Sequence, residues 1–264
     1  MKNILLLVHE DAGQEARLQT ALSLTRAVNG HLKWLDVVVL PELAGDPYMA
    51  TSAALLFEHE QNRAEANRRK LCERLTNEDV SWSLDAVIGD ITSSLTRAAA
   101  MADIIVVDRS AEGVIWSTAG DLIVKSGKPV LTVSPGDENF NPCGCSIVAW
   151  NGSSSSIAAL QATTPLLRLS TSVILLEIED GSVEISSRDA ASYLSRHGVH
   201  ALIRYERPKG RKVSDILLEE VHDRGADYVV MGGFGHSRLT QTLFGGVTRT
   251  LLAHCPVPMV LMHG

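Results

Sequence analysis

The chain repeats itself, and that self-similarity constrains its fold more than any local motif. The apolar run Ile4-Leu5-Leu6-Leu7-Val8 opens the first half, and Ile147-Val148-Ala149-Trp150 opens the second; each leads through a polar loop into a helical pattern. Ala102-Asp103-Ile104-Ile105-Val106-Val107 returns as Ala226-Asp227-Tyr228-Val229-Val230-Met231. Lys128-Pro129-Val130-Leu131-Thr132-Val133 returns as Val257-Pro258-Met259-Val260-Leu261-Met262. Each half therefore reads as strands alternating with helices. Mostly apolar strands separated by helices belong in parallel sheets covered on both faces, an α/β architecture.

In the second half, strands are expected near 146–150, 172–178, 200–205, 227–231 and 258–262, and helices near 154–168, 187–197, 213–224 and 246–254. Ser153–Ser156 offer N-caps to the first of these helices, which Pro165 should kink or shift. In the first half, Leu18, Ala21, Leu22, Thr25 and Val28 share one helical face. Asn29-Gly30 supplies the stop, with glycine taking the left-handed backbone. A long helical stretch, 54–75, stands where the second half has a short helix, and its charged face (Glu58, Glu60, Arg63, Glu65, Arg68, Arg69, Lys70) reads as solvated surface. Ser134–Gly144, rich in Pro, Gly, Asn and Asp, is the natural linker, placing domains at 1–138 and 143–264.

Composition bounds the partners. The 264 residues suit about two domains at roughly 150 residues each. Hydrophobic residues at 45% and charged residues at 21% are ordinary for a globular protein. The apolar runs are far shorter than the about 20 residues needed to span a bilayer, and the N-terminus lacks the pattern of a signal peptide. The expectation is a cytoplasmic protein without membrane contact. A net charge of −7 supplies no global positive field for nucleic acid. Four cysteines are too few for a disulfide scaffold. Cys143-Gly-Cys145 is too closely spaced for a zinc pair and has no neighbouring ligands, so it reads as linker with incidental thiols and no metal site.

The most informative segment follows the fourth strand of the second half. It runs Met231-Gly232-Gly233-Phe234-Gly235-His236-Ser237-Arg238 and reaches Gly245-Gly246-Val247-Thr248, a Gly-x2-Gly-x9-Gly-Gly-Val-Thr spacing. In an open parallel sheet, ligands bind beyond the carboxyl ends of strands where the strand order reverses. Glycines there let main chain approach a ligand, and the unpaired N–H groups of the following helix start hold anions. Two readings stay open on spacing alone: a phosphate cradle, or glycines that close turns and allow tight packing. The segment is neither a Walker loop nor the dinucleotide fingerprint.

This loop, the ending Cys255-Pro256-Val257-Pro258-Met259-Val260-Leu261-Met262, and Val148-Ala149-Trp150-Asn151-Gly152-Ser153 resemble the universal stress protein family, in its tandem two-domain form. The resemblance is specific in the second half and degenerate in the first. It implies two open parallel five-stranded sheets of order 3-2-1-4-5 flanked by helices, like the adenine nucleotide α-hydrolases. It implies ATP, or AMP or ADP, at the crevice between strands 1 and 4, with Mg²⁺ entering only through the phosphates. By motif position, Asn151 would face the base or ribose, with Asp more usual there, and Ile178 would wall the adenine. Met231 and Gly232 would back the adenine and ribose; Gly235, His236 and Arg238 would lie along the ribose and phosphates; Gly245, Gly246, Val247 and Thr248 would cradle the outer phosphates. Many ATP-binding members carry Ser in place of Gly246, so one hydroxyl bond, worth about 0.5–1.5 kcal/mol, is expected to be missing.

The first half lacks the motif. Asp108-Arg109-Ser110-Ala111 stands where the first glycines belong and Trp116-Ser117 where Gly245-Gly246 falls. The residue offset is 124 at Val107/Met231 and 129 at Pro129/Pro258, so this loop is five residues shorter. Asp108 is expected to repel a phosphate, with Arg109 offsetting it, and Trp116 to fill the phosphate space; no nucleotide is expected in this half. His236 is weighed as an acid or base for ATP hydrolysis against a plain phosphate or solvent contact. No carboxylate in the loop is placed to hold Mg²⁺ or orient water, so no catalytic residue is assigned. His254 and His263, flanking the last strand, read as surface or packing residues. The final strands, Val130–Val133 and Met259–Met262, are apolar sheet edges that invite pairing. An internal pseudo-dimer is expected, with homodimerisation and a protein partner left open.

The leading expectation is a cytosolic stress-response protein holding one adenine nucleotide in its second half, with a degenerate first half as structural partner. The competing expectations are slow ATP hydrolysis and a nucleotide-free interaction scaffold.

Overall fold

In the computed structural model, residues 1–39, 50–109, 114–137, 140–233 and 246–264 are described, with side chains omitted for 50–53 and 114–117. The first half runs β1 (Asn3–Val8), α1 (Gln14–Val28), β2 (His31–Val38), α2 (Ala50–Leu75), β3 (Ser81–Ile88), α3 (Ile91–Ala98), β4 (Ile104–Asp108), α4 (Val114–Lys125) and β5 (Val130–Val133). The second half repeats the series as β6 (Cys145–Trp150), α5 (Ser154–Leu167), β7 (Ser172–Ile178), α6 (Ser187–Arg196), β8 (Ala201–Glu206), α7 (Val213–Asp223), β9 (Tyr228–Gly232), α8 (Gly246–His254) and β10 (Met259–Met262). Among the described residues, no helix is long and apolar enough to cross a membrane.

Each half has the expected order 3-2-1-4-5, with parallel pairing throughout. The two sheets are not separate, however. β5 and β10 pair antiparallel, Leu131 opposite Val260, so the strands merge into one ten-stranded sheet of order β3-β2-β1-β4-β5-β10-β9-β6-β7-β8. The apolar edges seen in the sequence are thus buried against each other, and the internal pseudo-dimer is a continuous hydrogen-bonded ladder. Alternate residues of the buried strands face opposite sides of the sheet. Leu6, Val106, Leu131, Val260 and Val230 belong to a core on one face; Leu7, Val107, Val130, Leu261 and Met231 belong to a core on the other. Both cores run through both halves.

Local chemistry explains most boundaries. Ser153 caps α5, accepting from Ser156 N at 3.3 Å. Pro165 does not break that helix, which continues two residues further to Leu167; it falls in the last turn, where a missing N–H costs least. Asn29, not Gly30, takes the left-handed conformation that ends α1 (φ 48°). Gly30 serves the next requirement, a close approach: a Cβ there would stand 2.6 Å from Lys2 O. The connection from β5 to β6 is more than a spacer. Phe140 is buried and meets the edge of Tyr228 at 5.7 Å. Burial pushes the Tyr228 hydroxyl up to about 12, and it bonds Ser170 Oγ at 2.7 Å.

Candidate functional site

A cleft of 320 Å³ opens at the carboxyl ends of β6, β7 and β9, under the start of α8. Its position follows from the strand order, since β6 lies between β9 and β7 and the crossovers diverge there. β6 ends at Trp150, whose indole N–H donates to Ile185 O at 2.8 Å and pins the loop that follows β7. The chain then turns through Gly152 at φ 70°, where a Cβ would collide with the Ile185 main chain, and enters α5 at Ser153. On the neighbouring strand, a Cβ on Gly232 would stand 2.6 Å from Ser156 N. The end of β9 therefore lies directly on the first turn of α5, which only glycine permits.

The cleft is apolar with a few convergent polar groups, the usual make-up of a small-molecule site. Leu176, Ile178, Val213, Leu217, Met231 and Val247 supply the apolar wall. Asn151 and Ser153 stand at the end of β6, Asp180 and Ser182 beyond β7, and Thr248 on α8. Asn151 Oδ1 accepts from Ser153 N at 3.2 Å and from Ser153 Oγ at 2.8 Å. Asp180 Oδ1 accepts from Ser182 N at 2.9 Å and Ser182 Oγ at 2.6 Å. Gly246, Val247 and Thr248 form the first turn of α8, whose N–H groups have no partner within the helix. Among the described residues nothing comes within 4 Å of a Cβ built on Gly246. The missing serine of the motif is therefore not a steric exclusion.

Of the positions singled out by sequence, Asn151, Ile178, Met231, Gly232, Gly246, Val247 and Thr248 all line this one cleft. Gly235, His236, Arg238 and Gly245 lie outside the described residues. Sequence reasoning missed Asp180 and Ser182, although Asp-x-Ser after a strand is an Asx-turn signal. It also missed Val213 and Leu217, whose i, i+4 spacing marks a helix face without saying which ligand or sheet it covers. His263, read as surface or packing, has Nδ1 3.0 Å from Gly233 O and 3.5 Å from Ser155 Oγ. It braces the point where the glycine segment leaves β9. Among the described residues, no three His, Cys, Asp or Glu side chains gather as a metal site.

The first half shows what replaces the cleft. Asp108 occupies the position of Gly232, and its carboxylate lies where a Cβ on Gly13, the N-cap of α1, would be. It does not face outward to repel a phosphate. It is buried and paired with Arg17, which also reaches Asp11 at 3.0 Å and donates to His9 O at 2.8 Å. Burial lowers the Arg17 pKa from its usual value, and Asp11 works against that shift. The expected offset by Arg109 is likewise corrected: Arg109 turns to Ser134 Oγ at 2.6 Å, Asp137 at 3.4 Å and, in the second half, Val257 O at 3.1 Å. The Trp116 side chain lies outside the described set. Above β2, α2 closes in through Arg68–Asp36 at 3.1 Å and a Gln14–Asn67 amide pair at 3.0 and 2.7 Å. A hollow of only 80 Å³ remains there.

Residues 155–263 match the model of the Universal stress protein family. Comparison with curated proteins finds no match. Among solved structures, a universal stress protein from Archaeoglobus fulgidus DSM 4304 superposes with a TM-score of 0.77 at 15% identity, covering 99% of this chain and 96% of its own. A functionally unknown protein from Pseudomonas aeruginosa PAO1 gives 0.62 at 15% identity, covering 100% and 92%. A putative universal stress protein from Pseudomonas aeruginosa UCBPP-PA14 gives 0.59 at 15% identity, covering 100% and 93%. At such identities the structural likeness is one of fold. Residues 155–263 are thus similar to the universal stress protein family, in a chain whose two halves together have the fold of the Archaeoglobus protein.

Proposed function

We propose that this stress-response protein binds ATP or a related adenine nucleotide in the cleft of its second half, one per chain, with the first half as its structural partner. The observation that carries the reading is the convergence of Asn151, Ile178, Met231, Gly232 and the first turn of α8 on a single 320 Å³ hollow. That volume lies within the roughly 300–1,000 Å³ typical of small-molecule pockets. The apolar wall suits a base and the α8 N-terminus suits phosphates, to which any Mg²⁺ would be bound. The first half is not assigned this role; the buried Asp108–Arg17 pair at the position of Gly232 supports that reading. The nucleotide acts as a ligand that changes a surface; its protein partner is not assigned.

Titration calorimetry with ATP is expected to give one site per chain, abolished by Gly246→Trp with thermal stability retained. Absence of binding at millimolar ATP would refute the proposal.

A further inference from the structure

We infer that Asn151-Gly152 is a self-modifying site, where the fold favours deamidation of the Asn151 side chain and so adds a carboxylate to the cleft without an enzyme or a bound ligand. The sequence contains two Asn-Gly dipeptides, Asn29-Gly30 and Asn151-Gly152. Both are reactive in a free chain, because glycine has no side chain to screen its main-chain nitrogen. In the reaction that nitrogen, once deprotonated, attacks the asparagine Cγ. The N–Cγ bond forms, the Cγ–Nδ2 bond breaks, and Nδ2 leaves as ammonia with the proton that the glycine gave up. Water then opens the resulting succinimide at either carbonyl and leaves aspartate or isoaspartate, with no oxidant or reductant involved.

The structure separates the two. Exposure alone favours Asn29, which is exposed, over half-buried Asn151. Hydrogen bonding favours the reverse. Gly30 N donates to Thr25 O at 2.9 Å in the turn that ends α1, so its proton is held. Gly152 N has no hydrogen-bond partner among the described residues. The carboxamide beside it is fixed: Asn151 Oδ1 accepts from Ser153 N at 3.2 Å and from Ser153 Oγ at 2.8 Å. A main-chain N–H only donates, so the atom facing Ser153 N is the carbonyl oxygen and Nδ2 is the free end. This Asx turn folds the carboxamide back over the Gly152 peptide. Its two donors sit on the oxygen that becomes negative as the nitrogen adds to Cγ, and donors already in place lower the barrier to an oxyanion. Asn151 lines the cleft, from which water and hydroxide reach it. In the aspartate product the Ser153 donors still find an oxygen, so the turn is kept. The other atom changes from an N–H₂ donor to an acceptor that shares a negative charge.

Peptide mapping by mass spectrometry on the full chain, kept folded in mildly alkaline buffer with no nucleotide added, tests this. Asn151 is expected to convert about ten-fold faster than Asn29, the effect of one hydrogen bond on a barrier. In guanidinium chloride, where neither glycine nitrogen is held by the fold, the two rates should come together. The folded chain should also develop an acidic charge variant on isoelectric focusing. Asn151→Gln, whose longer side chain closes the ring far more slowly, should lose it. Asn29 converting as fast as Asn151 in the folded chain overturns the inference. So does an Asn151 left intact in the folded chain over a time that converts both sites fully in guanidinium. A rate difference that persists in guanidinium belongs to the sequence and not to the fold, and overturns it as well. An acidic variant that forms unchanged in Asn151→Gln does the same.

Discussion

Asp108 and Gly232 hold the same place at the end of the fourth strand in each half, and the difference between them separates a filled half from an open one. The loss of glycine at 108 is legible in the sequence; its consequence is not. Composition suggests a stray negative charge, yet the charge is buried against Arg17, a residue 91 positions away that no local pattern links to it. Two further exchanges make room: Gly13 stands at the helix cap where the second half has Ser153, and Arg17 lies four residues beyond its cap, as Ile157 does. Asp108→Ala is expected to cost about 3 kcal/mol, because it strips one partner from a buried cation, though Asp11 retains part of the pairing. Formate, a carboxylate small enough to enter the vacated space, should restore part of the melting temperature of Asp108→Ala and leave the unaltered protein unmoved. Equal stabilisation of both proteins by formate would contradict the pairing.

At the scale of elements, strands and helices were readable because apolar runs alternate with helical periodicity and because the two halves check each other. The second-half helices lie within a residue of their expected ends. Turn chemistry was less readable. Gly152 and Gly246 look alike in sequence but differ in what surrounds them. Gly152 takes φ 70° with no room for a Cβ, whereas Gly246 starts a helix with open space beside it. Gly152→Ala should therefore lower the melting temperature and nucleotide affinity together, through the misplaced Asn151 turn. Gly246→Ser should leave stability unchanged and tighten ATP several-fold through one added hydroxyl donor. Thermal denaturation and calorimetry on the two variants decide; identical behaviour would show that cleft geometry does not depend on these turns. The Asp180–Ser182 turn escaped sequence reasoning because its place beside the cleft comes only from which strand it follows.

For the whole molecule, the decisive feature is the β5–β10 seam. Apolar edge strands announce pairing, but nothing in their composition says which edge is the partner. The answer lies in the fold, which brings them together across a short connection, and in the residue just after each fourth strand. Arg109 reaches Val257 O across the seam, while a Cβ on Gly233 would stand 2.8 Å from Ile123 of α4. With both cores continuous through the seam, calorimetric unfolding should show one transition. Arg109→Ala, which removes the donor to Val257 O and leaves Asp137 with Ser134 N, should lower that transition without splitting it; two separate transitions would mean that the halves fold independently.

The covalent connection across this seam also settles a matter of stoichiometry. Two kinds of half made as separate chains would assemble in mixed proportions, like with like as well as like with unlike. Joined end to end, every molecule contains one open cleft and one half closed by Arg17 and Asp108 in a fixed ratio, and the high effective concentration of a tethered partner keeps it so at any dilution.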